Sequence, residues 1–131
     1  MRTIKFRGQT TNGEWVYGHY STGGFIHTDG TETVRHLIHA DTLHDVDENT
    51  VGQFTGLVDK NGREIYEGDI ILEKLKRSRK DGDLYEIIFE DCQWFGKDKD
   101  GAGTSLSLLN DFHVIKIIGN IHDNPELLTN K

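Results

Sequence analysis

Three closely spaced histidines are the residues of this 131-residue chain that most readily suggest metal chemistry. His36, His39 and His44 have Asp41 and Asp45 among them, and imidazole and carboxylate groups are ligands of zinc. The alternation around them predicts a strand, in which His36 and His39 point to opposite faces. No CxxC or HExxH motif accompanies them, so we expect solvated or hydrogen-bonded histidines, with no bound metal and no cofactor. Whether the three meet in space is open.

Two further groups could carry catalysis. Glu67 and Asp69 could be paired carboxylates, but an aspartate directly after Gly68 can accept backbone N–H groups and close a turn. Cys92, the single cysteine, would need a neighbouring base to act as a nucleophile, and we predict a buried structural thiol instead. Because no acid, base and nucleophile set stands out, we expect that the protein is not an enzyme.

Partner binding is the other chemistry that the residue types suggest. Trp15, Tyr17 and His19 share one face of a predicted strand, which is either a core wall or an exposed surface for a partner. Five of the fifteen Lys and Arg residues form one cluster in a predicted loop: Lys74, Lys76, Arg77, Arg79 and Lys80. In an otherwise acidic chain this loop could reach the acidic segments 41–48 or 81–91 of a second copy, so we expect a homo-oligomer. A phage or host protein is the other expected partner.

The overall charge and composition limit the function further. A formal net charge of −7 argues against general nucleic-acid binding, which rests on cations that neutralise phosphates. A small β-barrel with stacking aromatic residues remains the alternative, although it is not favoured. One cysteine and the absence of a long apolar run predict a protein of the reducing cytoplasm that does not enter a membrane.

The stretch from Thr50 to Glu73 organises the predicted fold. A strand leads into Asp59-Lys60-Asn61-Gly62, where Asn-Gly predicts a two-residue hairpin turn of the primed type with positive φ at Gly62. The chain reverses again at Gly68 and enters an apolar run that is typical of a buried strand. Fifteen glycines and one proline also favour short strands and tight turns over helices.

Strand patterns recur along the rest of the chain. An N-terminal hairpin turns at Asn12-Gly13, and later strands cover 31–40, 85–89 and 113–121. Asn124 and Pro125 predict the start of a short C-terminal helix. We expect one buried core that contains Phe54, Leu57, Ile70, Ile87, Phe89, Ile115 and Ile117.

Three sequence blocks resemble the YopX family of phage and prophage proteins. They are IKFRG with NGEWVYG at the start, TVGQFTGLVDKNGREIYEGDII in the middle and VIKIIGNIHDNPELL at the end. The resemblance implies a mainly β fold with a partly open, SH3-like barrel, and a phage- or prophage-encoded protein of the bacterial host cytoplasm without an established activity. We therefore expect one YopX-like domain over residues 1–131, with an N-terminal hairpin-rich part at 1–49 and the barrel at 50–131. Its expected role is that of an accessory protein, a small protein-interaction or assembly module.

Overall fold

The computed structural model describes residues 3–75, 82–106 and 113–128 of the chain. Within these ranges antiparallel β-strands dominate, which confirms the mainly β prediction. Two short 3-10 turns, Glu48–Thr50 and Pro125–Leu128, accompany them. The strands are β1 (Phe6–Gln9), β2 (Trp15–Ile26), β3 (Glu32–His39), β4 (Leu43–Asp45), β5 (Gly52–Val58), β6 (Glu64–Tyr66), β7 (Asp69–Leu75), β8 (Asp83–Glu90), β9 (Gln93–Lys97), β10 (Gly103–Ser105) and β11 (His113–Asn120).

The chain divides into two compact units, residues 1–54 and 55–131, and the division falls within β5. In the first unit the strands lie in the order β4-β3-β2-β1-β5. Its core is formed by buried Val16, Ile38 and Val46. Gly8 packs so closely against this core that a Cβ there would lie 2.9 Å from Val46, which is why β1 carries a glycine at this point.

The β2–β3 hairpin is the longest paired element of the first unit. Its register runs from His19 opposite His39 to Ile26 opposite Glu32. Near β4 the hairpin covers the core, whereas towards its turn most of its residues are exposed on both faces. The hairpin therefore has a packed base and an exposed outer half.

The second unit contains a five-stranded sheet of order β10-β9-β8-β7-β11. One face of this sheet packs on a cluster of buried side chains: Ile65, Ile71, Ile87, Leu106, Ile115 and Ile117. The sheet is not closed, since β10 and β11 are its two edges. The SH3-like topology therefore stays a prediction, as does the C-terminal helix, where the structure has the 3-10 turn Pro125–Leu128.

The prediction of one core is wrong, because each unit has its own cluster of buried side chains, although most of the predicted members are buried. Ile70, Ile87, Ile115 and Ile117 are buried, Leu57 packs against the cluster of the second unit, and Phe54 is half-buried in the first unit. Phe89 is 51% exposed, because β8 continues past the core into a hairpin tip. There its ring meets Trp94 edge-on, with 4.8 Å between the ring centroids.

The predicted hairpin at Gly62 is confirmed, but its turn type differs from the prediction. Gly62 has φ 82° and its N–H donates to the Asp59 carbonyl, while the Asp59 N–H donates to the carbonyl of Arg63. Asn61 is not among the described residues with positive φ, so this is a three-residue loop closed by a left-handed glycine. The Asp59 carboxylate stabilises this turn, because it accepts from the N–H groups of Asn61 and Arg63.

The primed two-residue turn occurs instead at Asp91-Cys92. These residues have φ 51° and 62° and join Glu90 of β8 to Gln93 of β9. A turn residue at a hairpin tip is exposed to solvent, and Cys92 is an exposed thiol. The prediction of a buried structural cysteine is therefore wrong.

Candidate functional site

An open groove of about 490 Å³ lies on the first unit and contains the two aromatic residues that the sequence singled out. It lies between the start of β2, the end of β3 and the connection from β3 to β4. It is a shallow surface groove that is open to solvent, and not an enclosed pocket. The groove is lined by Glu14, Trp15, Val16, Tyr17, His39, Ala40, Asp41 and His44.

The register of β1 and β2 places Trp15 and Tyr17. Side chains alternate along a strand, and Val16 between them points into the core. Trp15 and Tyr17 therefore lie on the opposite face, where Tyr17 is 45% exposed. Of the two alternatives for this aromatic stripe, the core wall is wrong and the exposed surface remains.

A buried arginine supports the tryptophan from within the sheet. Arg7 lies opposite Tyr17 in the neighbouring strand and is almost fully buried. Its guanidinium is centred over the Trp15 ring, 4.6 Å from the ring centroid. This cation–π contact restrains the ring, because moving the ring would break a favourable contact with a desolvated charge.

Two carboxylates give the groove its charge. Glu14 enters from the β1–β2 turn and Asp41 from the β3–β4 connection. Both are exposed at the groove beside the two aromatic rings. The arrangement is suited to bind a cation through carboxylate oxygens at the rim and through the exposed Tyr17 ring, since Arg7 already lies over the Trp15 ring.

An ion pair fixes the β3–β4 connection that carries Asp41 and His44. The guanidinium of Arg35 on β3 donates to both carboxylate oxygens of Asp45 on β4, at 2.8 and 2.6 Å. Hydrogen bonding to Arg35 lowers the pKa of Asp45, and the same bond raises the pKa of Arg35. The backbone pairing of β3 with β4 sets the register of this short strand, and the bidentate ion pair adds a contact across the two strands.

The three predicted histidines do not form one site. His39 and His44 line the groove, where His44 Nε2 lies 3.1 Å from the Thr42 hydroxyl. His36 takes part in a separate network: its Nδ1 lies 2.6 Å from the Tyr20 hydroxyl and its Nε2 lies 3.0 Å from a Glu48 carboxylate oxygen. In the described parts of the chain, no three His, Cys, Asp or Glu side chains are arranged to hold a metal ion.

Lys74, the described member of the predicted basic cluster, is not among the residues that line the groove. Lys74 is exposed on β7 in the second unit, opposite Val114 of β11. The remaining members of the cluster, Lys76, Arg77, Arg79 and Lys80, lie outside the described residues. The contribution of this cluster to partner binding stays a prediction.

Four of the groove residues were missed as site residues from the sequence, namely Glu14, His39, Asp41 and His44. The sequence does not single out Glu14, and it marks His39, Asp41 and His44 only as possible metal ligands or as charged surface. What brings them to Trp15 is the pairing of β2 with β3, in which His19 lies opposite His39. The hairpin turn at Asp29-Gly30 was the available signal, because the position of a turn determines which residues face each other across two strands.

The fold and the groove define a mainly β protein of two antiparallel sheets with an open groove lined by aromatic and acidic residues. No described helix is long and apolar enough to cross a membrane. The chain belongs to the YopX family, because the family profile described as YopX protein matches residues 5–129. This confirms the resemblance seen in the sequence blocks.

Two solved structures share the fold along nearly the whole chain. Protein EF1440 from Enterococcus faecalis is 27% identical, with a TM-score of 0.57 over 98% of this chain and 99% of that one. Protein yopX from Bacillus subtilis is 21% identical, also with a TM-score of 0.57, over 98% of this chain and 97% of that one. A comparison with curated proteins finds no match.

Proposed function

We propose that this protein is a phage- or prophage-encoded accessory protein that works as a small protein-interaction module and not as an enzyme. Its docking surface is the groove around Trp15 and Tyr17, and its partner is a phage or host protein of the bacterial cytoplasm. Membership of the YopX family supports the origin. The geometry of the groove supports the proposed role as a protein-interaction module.

The single observation that carries the proposal is the position of the aromatic stripe. Trp15 and Tyr17 line an open groove on the face of β2 that points away from the core. Large aromatic side chains gain most from burial, and they are enriched where protein surfaces meet. An aromatic pair that is held on a sheet and lines a groove is suited to anchor a partner segment.

The charge of the groove indicates the partner's chemistry. Glu14 and Asp41 flank the aromatic pair, and Arg7 already occupies a position over the Trp15 ring. The rim favours a Lys or Arg side chain, which pairs with carboxylates and stacks on aromatic rings. We therefore propose that the partner presents a basic segment.

The same charges disfavour nucleic acid as the occupant. A phosphate placed beside Trp15 would face the carboxylates of Glu14 and Asp41. Lys74, the described member of the predicted basic cluster, belongs to the second unit. The binding test therefore includes a nucleic-acid ligand, so that preferential binding of nucleic acid would be detected.

Binding to labelled peptides tests this proposal. A lysine- and arginine-rich peptide should bind in fluorescence anisotropy, and its affinity should fall with salt because charges at an open surface are screened. Glu14→Lys with Asp41→Lys should weaken binding about tenfold or more, through repulsion at a surface that now carries the partner's own charge. The reversal Asp91→Lys, at the exposed β8–β9 turn of the second unit, is the matched control and should leave affinity unchanged.

Two results would overturn the proposal. One is equal binding of the basic peptide by the wild type and the Glu14→Lys, Asp41→Lys variant. The other is preferential binding of a labelled single-stranded oligonucleotide, which would support the nucleic-acid alternative. A third variant, Tyr17→Ala, separates aromatic from charge contributions, and it should weaken binding while circular dichroism shows an unchanged fold.

A further inference from the structure

Two Asn-Gly sequences, Asn12-Gly13 and Asn61-Gly62, lie in exposed hairpin turns of the same kind. Gly13 has φ 84° and Gly62 has φ 82°, and each glycine N–H donates to the carbonyl three residues earlier. A Cβ at either glycine would meet nothing within 4 Å. The two sites share the dipeptide, the backbone conformation and the exposure. A difference in their reactivity therefore has to come from what holds each turn.

An asparagine that precedes a glycine can lose its side-chain amide without an enzyme. The backbone nitrogen of the glycine attacks Cγ of the asparagine, and the new C–N bond closes a five-membered succinimide ring. The amide nitrogen leaves as ammonia and takes up the proton that the glycine nitrogen loses. Water then adds to one of the two ring carbonyls and opens the ring to aspartate or isoaspartate. The attack requires that the turn opens and that the glycine nitrogen loses its proton, and a glycine backbone is permissive enough to allow it.

The turn that contains Asn61 is fastened to a distant strand. The Lys60 N–H donates to the Ile115 carbonyl of β11 at 3.0 Å, and the Asp59 carboxylate accepts the N–H of Ile117 at 3.0 Å. The same carboxylate accepts the N–H of Asn61 itself at 2.9 Å. Opening this turn breaks its contacts with β11, so it should open less often than a turn that is held only locally.

The Asp59 carboxylate also opposes the reaction through its charge. It accepts the N–H groups of Asn61 and Arg63, the residues on either side of Gly62. The nitrogen of Gly62 has to become an anion in order to attack, and a neighbouring negative charge disfavours a second one. The link to β11 and the charge therefore act in the same direction.

The turn that contains Asn12 is held by bonds among its own residues. The Thr10 N–H donates to the Glu14 carbonyl at 2.9 Å, and the Thr10 hydroxyl accepts the Glu14 N–H at 3.2 Å. Thr10 thus has the position that Asp59 has in the other turn, but its hydroxyl is neutral. The Glu14 carboxylate is exposed at the groove, where solvent screens its charge.

We propose that Asn12 is a site of spontaneous deamidation in the folded protein, and that Asp59 and its link to β11 protect Asn61. The product at position 12 is an aspartate or an isoaspartate, and isoaspartate adds one methylene carbon to the main chain. The modified turn carries Glu14 and leads into Trp15, so the change lies at the edge of the groove. The reaction itself does not depend on what the groove binds.

Peptide mapping by mass spectrometry tests the proposal on the full chain. The folded protein is incubated at mildly alkaline pH, and conversion of an amide to an acid raises the mass of the peptide that contains it. Asn12 should deamidate about tenfold or more faster than Asn61, the rate effect of about one hydrogen bond. In concentrated guanidinium chloride, where neither turn is formed, the two rates should become similar.

A substitution at the first position of the turn tests the role of the carboxylate. Thr10→Asp gives the first turn the acceptor and the charge that Asp59 gives the second, and it should slow deamidation at Asn12 several-fold. Thr10→Ser keeps a neutral hydroxyl and is the matched control, which should deamidate like the wild type. Circular dichroism should show the same fold for both variants.

Three outcomes would overturn the proposal. Equal rates at Asn12 and Asn61 in the folded protein mean that Asp59 and β11 give no protection. An Asn12 that stays intact in the folded protein, but deamidates in denaturant, excludes a reactive site in the native state. A Thr10→Asp variant that reacts as fast as Thr10→Ser excludes the carboxylate as a protecting group.

Discussion

Asp59 connects two distant parts of the second unit through one carboxylate. Its Oδ1 accepts the N–H groups of Asn61 and Arg63 and shapes the turn, and its Oδ2 accepts the N–H of Ile117 on β11. Burial raises the pKa of this carboxyl, but the three backbone donors outweigh burial, and the pKa is lowered overall. The folded state therefore stabilises the ionised carboxylate of Asp59 relative to its protonated form.

Asp59→Asn should lower the free energy of unfolding at neutral pH by about 1–3 kcal/mol, the usual value of a hydrogen bond to a charged group. The folded-state pKa lies below the unfolded value of about 3.9, so this stabilisation is complete above that pH and is lost as the pH falls through the folded-state pKa. Urea unfolding at neutral and acid pH measures the difference between variant and wild type. A difference that stays constant down to the acid limit would contradict the role of the charge.

Cys92 illustrates a backbone cost at a single position. With φ 62° it holds a left-handed conformation that costs an L-residue roughly 1–2 kcal/mol and costs glycine little. Cys92→Gly should therefore stabilise the protein by about 1 kcal/mol, measured by thermal unfolding, even though it removes a side chain. Cys92→Ala keeps the strain and should give no such gain; if both variants gain equally, the thiol and not the backbone is responsible.

Within the residues that the structure describes, four hairpins use the same three-residue turn. In each, the N–H of the first residue donates to the carbonyl of the residue four positions later, and its carbonyl accepts from the N–H of a left-handed glycine three positions later. The four turns cover residues 10–14, 27–31, 59–63 and 98–102. An Asn or Asp before the glycine is common to all of them, while Thr10, Asp59 and Asp98 add a side-chain acceptor at the start.

Gly62→Val should destabilise the second unit by roughly 1–2 kcal/mol, because valine is strained at φ 82° although a Cβ there meets nothing within 4 Å. Thermal unfolding compares it with Gly23→Val, whose glycine has an ordinary extended backbone. Only the former should lose stability. Equal effects of the two substitutions would mean that backbone conformation is not what Gly62 provides.

Turn positions could be predicted from the sequence, but turn types could not. Asn61-Gly62 correctly marked a hairpin, since that dipeptide tolerates reversal in either turn type. Asp59 stabilises the three-residue turn here, and its carboxylate is also satisfied by the N–H of Ile117 at a separation of 58 positions, a contact that the local sequence does not reveal. Asp69 was predicted correctly because its acceptor role is local: it receives the N–H of Tyr66, three residues earlier.

At the scale of the whole molecule, each unit has its own cluster of buried apolar side chains. The fold class and the family could be predicted because strand patterns and sequence blocks are properties of continuous segments. The groove could not be predicted from the sequence, because cross-strand pairing brings residues 14–17 together with residues 39–44. Phe89 shows the same limit, because alternation predicts which face a residue occupies but not where the core beneath that face ends.

Ile87→Ala should cost about 2–5 kcal/mol of unfolding free energy, the usual effect of removing a fully buried aliphatic side chain. Phe89→Ala, two positions along the same strand face, should cost clearly less, because Phe89 is about half exposed. Chemical denaturation of both variants provides the comparison. A larger loss for Phe89→Ala would place the centre of the core at the tip of the β8–β9 hairpin.

The strand order of the second unit has a consequence for how it folds. Strands β7 to β10 each pair with the next along the chain, whereas β11 returns across the intervening segment to pair with β7. Bringing β11 back to β7 closes a long loop, which costs conformational entropy before the stabilising contacts between the two strands form. We therefore expect β11 to join the sheet last and its pairing to limit the folding rate. During synthesis β7 emerges well before its partner, and the edge that β11 will cover stays open to wrong pairing for that interval.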